Sequence, residues 1–144
     1  MELIEILLVE DNIYDAELTI RALKEGKLVN SITHVTDGAE ALDFIYCRDK
    51  YAGRENNHPK LILLDIKMPK VTGIEVLKEL KENEDTKGIP VVMLTSSALD
   101  PDIETCYRYG VNSYVVKPVE FDDFAKAVSQ LGIYWMMLNK QPNS

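Results

Sequence analysis

Glu10, Asp11, Asp65, Thr95 and Lys117 are the residues of this chain whose types could do chemistry together. Each follows or closes an apolar run. Ile6-Leu7-Leu8-Val9 runs into Glu10-Asp11, Leu61-Ile62-Leu63-Leu64 into Asp65, Ile89-Pro90-Val91-Val92-Met93-Leu94 into Thr95, and Ser113-Tyr114-Val115-Val116 into Lys117. Three carboxylates gathered in one place repel one another, and at least one pKa rises unless a cation sits among them. Oxygen-only donors select a hard ion. Mg2+ fits best, being content with one or two carboxylates, a backbone carbonyl and waters while keeping positions open for a phosphoryl oxygen. A lysine adds a fixed positive point charge and a threonine a hydroxyl donor, both suited to phosphoryl oxygens. Acid cluster, cation, nucleophilic carboxylate, lysine and hydroxyl are together what an aspartyl-phosphate needs: a carboxylate attacks a phosphoryl group whose charge the cation and the lysine neutralise. Singly, these are a solvated acid, a strand-end threonine and a surface lysine. What makes them a set is that they fall at the same end of four different apolar runs.

For the set to meet, the runs must be neighbouring strands. Leu61–Leu64 has no polar alternation and reads as a strand buried on both faces of a parallel sheet. An ionised carboxylate cannot be left unpaired in that core, so Asp65 must emerge at the strand's carboxyl end. Helical signals separate the runs. Asn12 caps a helix to about Glu25, with Ile13, Ala16, Ile20 and Leu23 on one face and Gly26 as the stop. Ser31–Thr36 alternates as a more exposed strand, and Asp37-Gly38-Ala39-Glu40 opens a helix to about Tyr51. A polar surface loop, Ala52 to Pro59, precedes the central strand. After Met68-Pro69 stops that strand, Thr72-Gly73-Ile74-Glu75 reads as a capping box for a helix to about Asn83, with Ile74, Leu77 and Leu80 facing in and Lys78 and Glu82 paired outside. Asp100-Pro101 opens a helix closing at Gly110, and the last helix puts Phe121, Phe124, Val128 and Leu131 on one stripe. Strands alternating with helices in this way predict an α/β fold, a doubly wound five-stranded parallel sheet with five helices. Right-handed crossovers then place all the strands' carboxyl ends on one rim, where such sheets bind ligands.

Composition excludes several alternatives. A length of 144 residues suits one domain, and a net charge of −8 argues against a nucleic-acid surface, which needs a basic stripe. No Gly-rich phosphate loop follows the first strand. Cys47 and Cys106 match no metal spacing and read as idle thiols. His34 and His58 stand apart from other candidate ligands, and His34 is expected to be structural or solvated. The N-terminus has no signal-like stretch, and no apolar run approaches the roughly 20 residues of a membrane span, so a cytoplasmic protein with no membrane partner is expected.

Four motifs, Val9-Glu10-Asp11-Asn12, Leu64-Asp65-Ile66-Lys67-Met68-Pro69, Leu94-Thr95-Ser96-Ser97 and Tyr114-Val115-Val116-Lys117-Pro118, resemble in order those of the receiver domain of two-component response regulators, the CheY-like family. The likeness runs from about Leu3 to Leu131. It implies a flavodoxin-like sheet in the order 2-1-3-4-5, with residues 1–144 as a single receiver domain carrying an extended C-terminal helix and tail. It implies Asp65 as phosphoacceptor, Asp11 and Asp65 as direct Mg2+ ligands, Glu10 acting largely through water, and the Lys67 backbone carbonyl completing the protein's share. Thr95 and Lys117 would bind the phosphoryl group, and Tyr114 would be the aromatic that turns inward when Thr95 moves. Lys117-Pro118 would be cis. Glu10 stands where Asp is commoner, and Lys67 and Ser97 lie where a hydrolytic water must pass. The polar loop and aromatic tail look similar to the stand-alone regulators that serve phytochrome-type and other sensor kinases.

The function so implied is a switch. A sensor histidine kinase donates a phosphoryl group to Asp65, and the new charge reorders the Thr95 loop and the Tyr114 face. With no DNA-binding output domain in the chain, the expected output is contact with a downstream protein target. Catalysis is limited to single-turnover self-phosphorylation and autodephosphorylation. A Mg-dependent aspartyl-phosphate phosphatase is the rival, weakened because the second acid such enzymes place two residues after the nucleophile is Lys67 here. A phosphorylation-independent interaction module is the third reading, and the complete set of acids, threonine and lysine speaks against it. Tyr134, Trp135, Met136, Met137 and Leu138 are too many apolar residues for one face of a docked helix, so a homodimer through the last helix and tail is expected.

Overall fold

A strand that is apolar at every position must lie between two layers, and β3 (Leu61–Asp65) is buried along its whole length. The computed structural model describes residues 4–26, 29–54 and 58–130. Around β3 stand β1 (Ile4–Val9), β2 (Val29–Val35), β4 (Val91–Thr95) and β5 (Ser113–Val116), all paired parallel in the order β2-β1-β3-β4-β5. The connections are helical: α1 (Ile13–Glu25), α2 (Gly38–Ile45), α3 (Gly73–Glu82) and α4 (Asp102–Arg108), with α5 (Phe121–Ser129) after the last strand. Alternate strand residues face opposite layers. Leu7, Ile62, Leu64, Val91 and Met93 pack with α2, α3 and Cys106 of α4, whereas Leu8, Leu61, Leu63, Val92 and Leu94 pack with α1 and α5. The sheet is therefore doubly wound, as the alternation of signals predicts.

Local chemistry sets most of the boundaries. The Asn12 side chain accepts from the Asp15 N–H at 2.9 Å and starts α1. The Asp37 carboxylate accepts from the Glu40 N–H at 2.7 Å and starts α2. Thr72 and Glu75 form the reciprocal capping box at 3.2 and 2.9 Å. Lys117-Pro118 is cis. None of the described helices is long and apolar enough to cross a membrane.

Several expectations need correction. Ile13 does not face the core. It is 55% exposed, and Ala16, Thr19 and Leu23 are the buried positions of α1, because the first turn stands at the rim beyond the cover of the sheet. Ile74 packs against the core but is only partly buried, and Val76, not expected there, joins Leu77 and Leu80 in it. Lys78, expected to pair with Glu82, sets its ammonium 5.8 Å from the centre of the Tyr109 ring.

The α2 helix does not reach Tyr51. It stops at Ile45, Cys47 and Asp49 take positive φ angles of 56° and 51°, and a single 3-10 turn follows over Asp49–Tyr51. Glu40 gathers that segment. Its carboxylate accepts from the Tyr51 hydroxyl at 2.7 Å and the Thr36 N–H at 3.1 Å, and pairs with Lys50 at 2.9 Å. Burial works against its charge, but the bonds from Lys50, Tyr51 and Thr36 outweigh it and hold its pKa at about 2. Leu131 and the aromatic tail lie outside the described residues.

One glycine ties the fold to the rim. Gly73, first residue of α3, donates its N–H to the Ile66 carbonyl at 3.0 Å, and a β-carbon on it would strike the backbone carbonyl oxygen of Asp65. Gly73→Ala should therefore lower stability by roughly 1–3 kcal/mol, the cost of overpacking. Gly88→Ala, where a β-carbon meets nothing within 4 Å, should stay within about 0.5 kcal/mol of wild type. Urea melts of the two variants check this, and equal midpoints would show that the close approach is not constraining.

Candidate functional site

Three backbone hydrogen bonds extend the ladder just past the strand ends: Glu10 N–H to the Val35 carbonyl at 3.1 Å, Ile66 N–H to the Leu94 carbonyl at 3.0 Å, and Lys117 N–H to the Thr95 carbonyl at 2.7 Å. They carry Glu10, Asp65, Thr95 and Lys117 to one edge. There Glu10, Asp11, Asp65, Lys67, Thr95 and Lys117 border a cleft of about 200 Å3. Glu10 is fully buried, and Asp65 and Thr95 are 4% and 2% exposed, whereas Asp11 is exposed at the mouth.

Lys117 organises the acids. Its Nζ lies 3.1 Å from Glu10 Oε1, 3.1 Å from Asp15 Oδ2 and 3.5 Å from Asp65 Oδ2. Burial opposes its charge, yet Glu10, Asp65 and Asp15 outweigh that cost and hold the ammonium above the usual lysine range. Burial pushes the Asp65 carboxyl up to about 7, and a hydrogen bond and the charge of Glu10 add to the rise. The Lys117 charge and the Lys67 backbone N–H pull the other way. Glu10 is pinned at both ends. Its Oε2 accepts from the Asn12 N–H at 3.1 Å, and its backbone carbonyl accepts from His34 Nε2–H at 2.8 Å, which makes His34 a structural residue at the site's edge.

The donor set fits a hard divalent ion. Glu10, Asp11 and Asp65 each offer a carboxylate oxygen, and the chosen oxygens all lie within 4.8 Å of one another. They are oxygen ligands only, and the one cation already among them does not bring the Asp65 carboxyl back to its usual range.

Thr95 points elsewhere. Its hydroxyl donates to the Ser97 carbonyl at 3.1 Å and to Asp100 Oδ2 at 3.2 Å, while the Ser97 N–H reaches back to it at 3.3 Å. The Ser97 hydroxyl accepts from the Leu99 N–H at 3.0 Å. Tyr114 is not in the cleft. It lines a separate groove between β5 and α5, edge-on to Tyr107 with centroids 6.5 Å apart. Cys106 is buried and its thiol is pushed up to about 11, chiefly by burial, so it is inert.

Two site residues escaped the sequence reading. Asp15 takes a full share of Lys117. The signal was its place in the first turn of α1, three residues after the Asn12 cap. Asp100 holds the Thr95 hydroxyl, having been read only as a cap for the following helix.

Comparison with known proteins finds clear relatives of the chain as a whole. The family model of the response regulator receiver domain matches residues 6–129. A probable methanogenesis regulatory protein, FilR2 of Methanothrix harundinacea, is 39% identical over 137 residues, covering 95% of this chain and 86% of that protein. Response regulator Rcp1 of Synechocystis sp. is 39% identical over 132 residues, 91% of this chain and 88% of that protein. Among solved structures, the bacteriophytochrome response regulator RtBRR has a TM-score of 0.87 at 49% identity, covering 96% of this chain and 84% of that one. A Mn(2+)-bound form of Rcp1 has a TM-score of 0.74 at 36% identity, covering 96% of each.

The Asp65 environment has a consequence for stability without metal. With a pKa of about 7 in the fold against an ordinary 3.8, its contribution is fully present below the lower value and is lost as pH rises through 7. Asp65→Asn cannot ionise, so in chelator at pH 8 it should be more stable than wild type by on the order of 2 kcal/mol, the lost contact with Lys117 returning part of the full difference. Near pH 4 the gap should nearly close. Denaturant melts at the two pH values decide, and an equal gap at both would assign the effect to packing.

Proposed function

The chain belongs to the response regulator receiver domain family, signalling proteins of two-component systems that work with histidine kinases, and from that premise we propose that it accepts a phosphoryl group on Asp65 and changes its protein contacts in response. The observation that carries this reading is the Asp65 carboxylate itself. It ends a strand buried on both faces, sits in a cleft open to solvent, and has an ammonium at 3.5 Å and two further carboxylates beside it.

In the proposed step an Asp65 carboxylate oxygen attacks the phosphorus of a kinase phosphohistidine. The P–N bond breaks with its electron pair left on the imidazole, and an acyl phosphate forms. Hydrolysis returns the carboxylate and inorganic phosphate. Lys117 would neutralise phosphoryl oxygens, and the Lys67 N–H, one of the groups that pull the Asp65 pKa down, would help orient its carboxylate. Mg2+, held by Asp11 and Asp65 with Glu10 through water and the Lys67 backbone carbonyl, would neutralise the charge that builds on those oxygens. Thr95 would leave its present partners for the phosphoryl group, and Tyr114 would follow it as the aromatic of the switch. The proposed activity is that of a self-phosphorylating and self-dephosphorylating switch rather than a hydrolase, because an exposed lysine, Lys67, stands where an aspartyl-phosphate hydrolase would need an acid.

Kinship supports the choice of ion and of donor. A Mn(2+)-bound relative makes a divalent cation the natural companion of the three acids, and likeness to bacteriophytochrome response regulators favours a phytochrome-type sensor kinase.

Incubation with acetyl phosphate and Mg2+ should add one phosphoryl group to the wild type by intact-mass measurement and none to Asp65→Asn. Asp11→Ala, or excess chelator, should abolish the adduct. A stable phosphoryl adduct on Asp65→Asn would move the acceptor elsewhere, and undiminished labelling in chelator would remove the metal from the reaction.

A further inference from the structure

Asp100 is a buried carboxylate that the phosphotransfer reading does not use. Its side chain is 7% exposed, and its two oxygens do different work. Oδ2 accepts the Thr95 hydroxyl at 3.2 Å, and Oδ1 accepts the backbone N–H of Asp102, the first residue of α4, at 2.9 Å. The Lys67 ammonium stands 4.0 Å from Oδ2. One carboxylate thus joins a phosphoryl-binding hydroxyl to the start of the next helix, with a cation waiting at its side.

A threonine hydroxyl has one proton to give. It is already shared between Asp100 and the Ser97 carbonyl, so Thr95 cannot donate to a phosphoryl oxygen without leaving the carboxylate. A bond to an ionised acceptor is stronger than one between neutral groups, so this resting bond competes directly with the phosphoryl group for the same proton. When Thr95 leaves, Oδ2 is not stranded, because Lys67 is already near it. The same loss frees one arm of the carboxylate whose other arm holds α4.

Resting on the function proposed above, we infer that Asp100 is a positioning residue: it holds Thr95 in the resting state and couples its departure to the first turn of α4. Neutralising it should favour the phosphorylated arrangement, since a ligand shifts a two-state equilibrium by its differential affinity for the two states.

The test uses beryllofluoride with saturating Mg2+ as a phosphoryl mimic. Asp100→Asn, which keeps shape and a weaker acceptor, should bind the mimic roughly 3- to 10-fold more tightly than wild type, the scale expected when one charge-assisted bond is weakened. The phosphorylated variant should lose its phosphoryl group correspondingly more slowly. On a Thr95→Val background the same substitution should produce no gain, a coupling that a merely structural role for Asp100 would not show. In metal-free protein the amide of Asp102 should exchange faster in Asp100→Asn than in wild type. Unchanged or weaker binding of the mimic, or an equal gain with and without the Thr95 hydroxyl, would overturn the inference while leaving the function intact. Wild type that neither binds the mimic nor takes up phosphoryl would overturn both.

Discussion

One ammonium shared by three carboxylates is the contact on which the rim depends. Lys117 meets Glu10 and Asp15 at 3.1 Å and Asp65 at 3.5 Å, in a place where Glu10 and Asp65 have almost no water to solvate them. Removing the ammonium and leaving those carboxylates buried without it would cost roughly 3–5 kcal/mol, about what the loss of a whole buried leucine side chain costs. The lysine therefore matters to the rim as much as a large side chain matters to the core. That cost explains why the rim's groups sit on strand ends rather than on free loops. A strand end fixed by its neighbours' hydrogen bonds keeps like charges at set distances, and a loop would let them separate.

The two layers of the fold serve that edge in different ways. Leu61, Leu63 and their neighbours bury against α1 and α5, and α1 also supplies Asp15 to the lysine. On the other layer, Ile62, Leu64 and Met93 bury against α2 and α3, and Gly73 lets α3 begin against the Asp65 carbonyl. Glu10 shows why its length matters. One oxygen reaches Lys117 while the other accepts from the Asn12 N–H, and His34 from β2 fixes its carbonyl. The same side chain thereby links the lysine of the last strand to the segment opening the first helix.

The strands, the caps and the rim were legible in the sequence because each has a local cause. Unbroken apolar runs forced the two-face-buried strands, and Asn12, Asp37 and Thr72 are caps whose partners lie three residues on. What was not legible depends on contacts between distant segments. The early end of α2 follows from Glu40 gathering Lys50 and Tyr51, a three-way bond that no periodicity announces. Ile13 fits the helical stripe and is exposed only because the sheet ends beneath it. Asp15 and Asp100 each had a sufficient local explanation, in a first helical turn and in a cap, and those explanations concealed their bonds to Lys117 and Thr95.

Those two acids carry a further step. Both donors assigned to phosphoryl recognition are already bonded to an anion that is not the acceptor, Lys117 to Asp15 and Thr95 to Asp100. The two cases differ in what must be surrendered. An ammonium has three protons, and with two given to Glu10 and Asp15 the third can still meet a phosphoryl group on Asp65, whose Oδ2 lies 3.5 Å away. A hydroxyl has one proton, so Thr95 must break its bond to Asp100 to act at all. Lys117 therefore suits a fixed electrostatic role and Thr95 a moving one. The asymmetry follows from proton count, and under the function proposed above it would put the first conformational response on the β4–α4 segment, where Asp100 ties the threonine to the helix, rather than on the segment that carries the lysine.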